Sequence, residues 1–223
     1  MERVPNLLHE LTESIQGLTK ALVDVKADSK TIKCPLEITA VDLGLPSGRL
    51  WADRNVLAKS PEDAGAYFSW GNMEPHFPNV NGWGDNAFEY QFSRVEYAQT
   101  GGFLLKDAIP AHDAATVNLG KPWCMPSKED FEELYEHCDW VRKTINGING
   151  YLVTSKANGN TLFFPAAGYG GGTSLYNAGA RGHYWSRSLR SSAYGYDLYF
   201  NNSGVYPADN SSRFCGYSVR AVR

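Results

Sequence analysis

Beyond Lys156 this 223-residue chain has no lysine, glutamate, glutamine or methionine, although the sequence up to that point carries ten, twelve, three and three of them. The last third therefore lacks the ordinary solvated coat of long charged side chains. Tyrosine, serine, glycine, asparagine and arginine remain to meet the solvent, with Tyr176, Tyr184, Tyr194, Tyr196, Tyr199, Tyr206 and Tyr217 spread along the stretch. Tyrosine offers broad amphipathic contact with few rotors to freeze, and serine, glycine and asparagine add adaptable hydrogen bonding. Selected binding surfaces use this palette, so the chain reads as a binder and not as an enzyme.

Other absences narrow the class further. Cys34, Cys124, Cys138 and Cys215 form no CxxC pair, so zinc spacing is missing. They build no disulfide framework either, and a chain of this length does not need one. His9, His76, His112, His137 and His183 are scattered and suggest no ligand set. His112-Asp113 reads as the start of a helix. GYGGGT lies among strand and turn signals, unlike a phosphate cradle. No cofactor and no metal are expected. No apolar run reaches membrane-spanning length, and acidic residues interrupt the N-terminus where a signal peptide needs an apolar stretch, so neither membrane insertion nor a leader is expected. A net charge of −3 argues against nucleic acid as a partner. That charge is uneven: six arginines and two aspartates give residues 157–223 a net +4, which leaves −7 for the rest.

Residues 1–33 read as a separate N-terminal element. Val4, Leu8, Leu11, Ile15, Leu18, Leu22 and Val25 alternate at spacings of four and three, a heptad seam. Pro5 suits a first helical turn. The spacing predicts an amphipathic, coiled-coil-like helix ending before Ser29 and serving as an oligomerisation stem; a homotrimer is the expected assembly, and packing on its own domain is the alternative.

Residues 34–223 read as a globular ligand-binding domain of α+β class. VDLGLPSG suggests a strand entering a turn, and Asn72 to Asn86 an irregular loop. Ser60-Pro61 predicts a capped helix start. Ser127 and Asp130 frame a capping box before a helix whose Phe131, Leu134, Tyr135 and Cys138 are expected to share a buried face. YLVTS, TLFFPA, YDLYF and YSVRAV read as strands, with Leu198 and Phe200 facing inward and Asp197, Tyr199 and Asn201 facing a wet side.

VDLGLPSGRLWA, AYFSWGN, DAATVNLGKPWCMPSKEDFEEL, GNTLFFPAAGY, GTSLYNAG, YWSRS and YSVRAVR together resemble C-type-lectin-fold domains of gut bacteria and their phages, related in fold to formylglycine-generating enzymes. The resemblance covers about residues 40–223 and leaves out the N-terminal helix. A subset of that family comprises the variable proteins of diversity-generating retroelements, in which asparagine codons are rewritten to codons that cannot encode Lys, Glu, Gln, Met or Trp. The four missing residue types fit that rule, and the one late tryptophan, Trp185, stands where the family keeps a core residue.

What the resemblance implies is a variable region of about residues 169–223 on a fixed frame. The frame would comprise Gly168, Tyr169, Gly172, Thr173, Ser174, Leu175, Ala178, Gly179, Trp185, Leu198, Phe200, Arg213, Gly216, Ser218, Val219 and Arg220. The diversified, ligand-binding positions would be Tyr176, Arg181, His183, Arg187, Arg190, Ser191, Ser192, Tyr194, Tyr196, Asp197, Tyr199, Tyr206, Ala208, Asp209, Asn210, Ser212, Phe214, Cys215 and Tyr217, gathered on one solvent-facing surface. The expected partner is a cell-surface protein or glycan. A phage tail-fibre tip or a bacterial surface is the expected location. A fixed-specificity interaction domain of a bacterial surface assembly is the alternative. Departures from the family are plain: Trp123-Cys124-Met125-Pro126 lacks the family's arginine, Glu74-Pro75-His76 and Trp83-Gly84-Asp85 miss the calcium and sugar triplets, and Cys215 has no partner cysteine for oxidation chemistry.

Overall fold

The computed structural model describes residues 37–78, 99–100, 103–104 and 107–223. The heptad helix of residues 1–33, with its stem and trimer, lies outside the described residues, as does the loop from residue 79 to Asn86. Among the described residues the strands are β1 (Ala40–Asp42), β2 (Leu50–Ala52), β3 (Tyr67–Phe68), β4 (Gln99–Thr100), β5 (Phe103–Leu104), β6 (Cys138–Ile145), β7 (Ile148–Ser155), β8 (Thr161–Pro165), β9 (Tyr169–Gly171), β10 (Ser174–Tyr176), β11 (Gly182–Leu189), β12 (Tyr194–Asn201), β13 (Gly204–Ser212) and β14 (Tyr217–Ser218). Two α-helices accompany them, α1 (Ala114–Leu119) and α2 (Lys128–His137).

The expected fold class, α+β of C-type lectin type, is corrected by this inventory. Helices of six and ten residues beside fourteen strands make the described chain mostly β. One reason is local. Ser60-Pro61 opens no helix, because the Asp63 carboxylate accepts from the amides of Lys59 (2.8 Å) and Gly65 (3.1 Å) and closes a turn instead. The two helices among the described residues have strong caps. Asp113 accepts from Thr116 N at 2.8 Å to open α1, and Ser127 and Asp130 complete a capping box on α2. Phe131 and Leu134 of α2 are buried as expected. Tyr135 is 43% exposed, and Cys138 already belongs to β6.

Five strands form the main sheet in the order β13-β12-β11-β14-β3, with β14 parallel to β11 and the other pairs antiparallel. β6, β7 and β8 form an antiparallel meander. Neighbouring strand residues point to opposite faces, and each face of the main sheet has its own core. Tyr184, Leu198 and Phe200 join Phe131, Leu134, Tyr151 and Phe164 on one side. Trp185 and Tyr217 join Phe68, Trp70 and Val219 on the other. β11 is consequently buried along nearly its whole length, and the sheet has no generally wet side there.

Two arginines fasten this frame from within. Arg220, fully buried, donates to Asn55 Oδ1 (2.8 Å) and to the carbonyl of Phe163 (2.8 Å), and lies over the Phe164 ring at 4.5 Å. Burial lowers its pKa to about 10, so it stays charged at neutral pH. Arg213, also fully buried, donates to the carbonyl of Ser192 at 2.7 Å and stacks on Trp70 at 5.0 Å. The last residues are woven into the body: Leu50 and Arg223 exchange backbone hydrogen bonds, as do Cys124 and Val222.

Candidate functional site

The outer half of the main sheet carries most of the candidate binding positions. On β12, Tyr194 is exposed and Tyr196 and Tyr199 are half-buried. On β13, Tyr206 is 46% exposed, and Ala208, Asp209, Asn210 and Ser212 are half-buried. Not one of the nine β13 residues is buried, which suits an edge strand. Tyr176 ends β10 at 46% exposure, Arg181 and Arg190 are exposed at turns, and Arg187, Ser191, Ser192, Phe214 and Cys215 are half-buried.

Strand pairing divides these residues between two faces, since directly opposed residues share a face. Tyr199 faces Tyr206 and Asp197 faces Asp209; on the other side Tyr196 faces Asn210 and Tyr194 faces Ser212. Lys128, at the start of α2, lies 5.7 Å from the centre of the Tyr196 ring, so the second group looks toward that helix. The candidate positions thus form a two-sided ribbon and not one continuous face.

The first side is a column of rings running from core to solvent. Trp185 stacks on Tyr217 with centroids 4.3 Å apart, Tyr217 on His183 at 4.6 Å, His183 on Tyr199 at 4.6 Å, and Tyr199 on Tyr206 at 5.5 Å. The Tyr199 hydroxyl accepts from the Asn201 amide at 2.7 Å. Beside the column, Tyr176 stacks on Tyr169 at 5.3 Å. Stacking of this kind fixes ring planes, so the outer tyrosines are held before any ligand arrives.

Three candidate positions are buried: His183, Asp197 and Tyr217. His183 Nδ1 and Asp197 Oδ2 are 3.1 Å apart. Burial pushes the Asp197 pKa up, opposed by the contact with His183 and assisted by Asp209. Burial also raises Tyr217 well above its ordinary value, with Asp197 adding to the effect. Cys215 packs against the core that holds Trp185, and burial raises its thiol to about 11. Cys124 is likewise half-buried with a raised thiol pKa.

The frame positions divide as well. Trp185, Leu198, Phe200, Arg213, Val219 and Arg220 are buried, whereas Thr173, Ser174 and Ala178 are exposed. Sequence reasoning missed a concavity between the turn around Asp63 and the β6–β7 hairpin, a cleft of about 720 Å³ whose wall includes Glu62, Asn146 and Leu175. One signal for it was present: Asn146-Gly147, both with positive φ (50° and 82°), is the dipeptide of a tight β6–β7 hairpin. Among the described residues no group of three His, Cys, Asp or Glu side chains is placed to hold a metal ion, and no helix is long and apolar enough to cross a membrane.

Residues 142–222, from within β6 to the bridge at Val222, match the family model of a domain of unknown function, DUF8237, which spans less than half of the chain. No curated protein and no solved structure matches the chain.

Proposed function

We propose that this protein is a ligand-binding protein, an adhesin whose binding surface is the β12–β13 ribbon with the adjoining Tyr176 hairpin, and whose gene end is rewritten by a retroelement. The observation that carries this reading is the contrast along the ribbon. All nine residues of β13 meet solvent, while Trp185, Leu198 and Phe200 behind them are completely buried. Side chains at Tyr194, Tyr206, Asn210 and Ser212 can change without disturbing a packed core. The expected partner is a cell-surface protein or glycan, met at a phage tail-fibre tip or a bacterial surface. A stem built from residues 1–33 would add avidity of roughly 10²–10⁴ by joining copies.

Burial of His183, Asp197 and Tyr217 favours a second reading at those positions, that of a fixed-specificity interaction domain, because replacing any of them disturbs the core. Sequencing many copies of the gene from one natural population separates the two. Differences concentrated at Tyr176, Tyr194, Tyr206, Asn210 and Ser212, with Trp185, Leu198 and Phe200 constant, are the expected result. A single invariant sequence, or differences spread evenly over core and surface, overturns the diversified reading.

A further inference from the structure

We infer that the cleft between the turn around Asp63 and the β6–β7 hairpin is a second binding site, separate from the ribbon, and that it takes a lysine side chain presented by a peptide segment of a partner protein. Its volume, about 720 Å³, lies within the roughly 300–1,000 Å³ of ligand sites. None of the residues that line it is among the candidate diversified positions. Whatever changes on the ribbon, this concavity keeps its chemistry.

The lining specifies a cation with an apolar stem. Ala166 and Ala167 are buried in the floor, Leu175 is half-buried, and Ile148 stands 43% exposed at the β6–β7 hairpin. Glu62 and Asp63 supply negative charge, and no lysine, arginine or histidine among the described residues lines the cleft. An aliphatic chain laid on the floor with its ammonium at the rim satisfies both features.

The contacts of the two carboxylates favour lysine over arginine. Asp63 is occupied by the amides of Lys59 and Gly65. Glu62 accepts from Asn146 Nδ2 at 3.2 Å. A guanidinium seeks a carboxylate it can grip with two parallel hydrogen bonds, whereas an ammonium is served by a single point. The volume exceeds what one side chain fills and leaves room for the residues on either side of the lysine.

The site is also pre-formed. The Tyr67 hydroxyl donates to the carbonyl of Ala167 at 2.6 Å, and the Gly179 carbonyl accepts from Asn149 Nδ2 (3.1 Å) and Arg142 Nη2 (3.2 Å). Little ordering is left for a ligand to impose.

An ¹⁵N NMR titration of the full chain tests this with three probes: acetyl-Ala-Lys-Ala-amide, the same peptide with norleucine, and spermidine as a free amine. The lysine peptide is expected to give saturable shifts at the amides of Ile148, Ala166, Leu175 and Ala178. Norleucine peptide and spermidine should bind at least about threefold more weakly, and Glu62→Gln should cost the lysine peptide about threefold, the scale of a partly exposed ion pair. Glu62→Lys should abolish the shifts. Tyr206→Ser should leave them unchanged, which keeps this result independent of the ribbon reading. Absence of saturable shifts, equal binding of the norleucine peptide, spermidine binding as tightly as the lysine peptide, or indifference to Glu62→Gln overturns the proposal.

Discussion

Trp185 and Tyr206 stand at the two ends of one column of rings, and the cost of a substitution depends on which end it removes. Trp185 is fully buried and its indole donates to the carbonyl of Phe68 at 2.8 Å. Trp185→Ala is expected to cost about 3–5 kcal/mol, read from denaturant unfolding. Tyr206→Ser at the solvent end should cost less than about 1 kcal/mol. Tyr199→Ser falls between, because Tyr199 stacks on both His183 and Tyr206; a loss of about 1–2 kcal/mol is expected from the two ring contacts. Asp197 adds a pH signature. Its folded pKa is raised by burial, so the folded state holds the proton more tightly than the unfolded chain does. The resulting stabilisation is fully present below the unfolded value, 3.8, and is lost as pH rises through the higher folded value. Asp197→Asn should remove that slope, so the stability difference between variant and parent changes with pH across this window. Parallel pH–stability curves would show that burial does not govern this carboxylate.

At the scale of elements, the exposed edge of β13 is protected against pairing with a second copy. Asp197 opposes Asp209 and Tyr199 opposes Tyr206, so two residues, Pro207 and Ala208, answer Leu198 alone. A bulge, a proline without an amide hydrogen and a nearby aspartate all discourage edge-to-edge growth. Pro207→Val combined with Asp209→Val is expected to shift the protein toward larger species in light scattering while each copy stays folded. Glycine limits which ribbon positions can change. A Cβ at Gly195 would sit 2.6 Å from the Trp70 ring, so Gly195→Ala should cost about 1–3 kcal/mol through overpacking. These elements also mark what the sequence made legible. Capping at Asp113 and Ser127 and the inward pair Leu198 and Phe200 could be read because each depends on residues a few positions apart. Burial of His183, Asp197 and Tyr217 could not. It arises because strands distant in sequence, β3 and β14, extend the sheet, and because the Trp70 and Tyr217 core covers the face on which alternation alone predicts solvent. The helix expected at Ser60 failed for a related reason: a side chain that caps helices also closes turns, and Asp63 settled the competition locally.

For the whole molecule, the segment after β14 is structural as well as late. Ala221 accepts from Ala52 N, Val219 from Val56 N, and Val222 bridges both Trp51 and Cys124. Arg220, between them, links the same segment to Asn55 and to β8 through Phe163. Removing residues 219–223 takes away all of these at once, and such a chain is expected to show no cooperative thermal transition by calorimetry. Arg220→Lys keeps the charge but loses the fork that reaches Asn55 and Phe163 together, and should cost more than about 2 kcal/mol. The clasp therefore does for the polypeptide what a checksum does for a message. A copy that ends early or shifts frame anywhere in the ribbon lacks Arg220 and Val222, cannot close against Trp51, and is expected not to fold. Each folded copy certifies that its ribbon was read in frame through to the clasp.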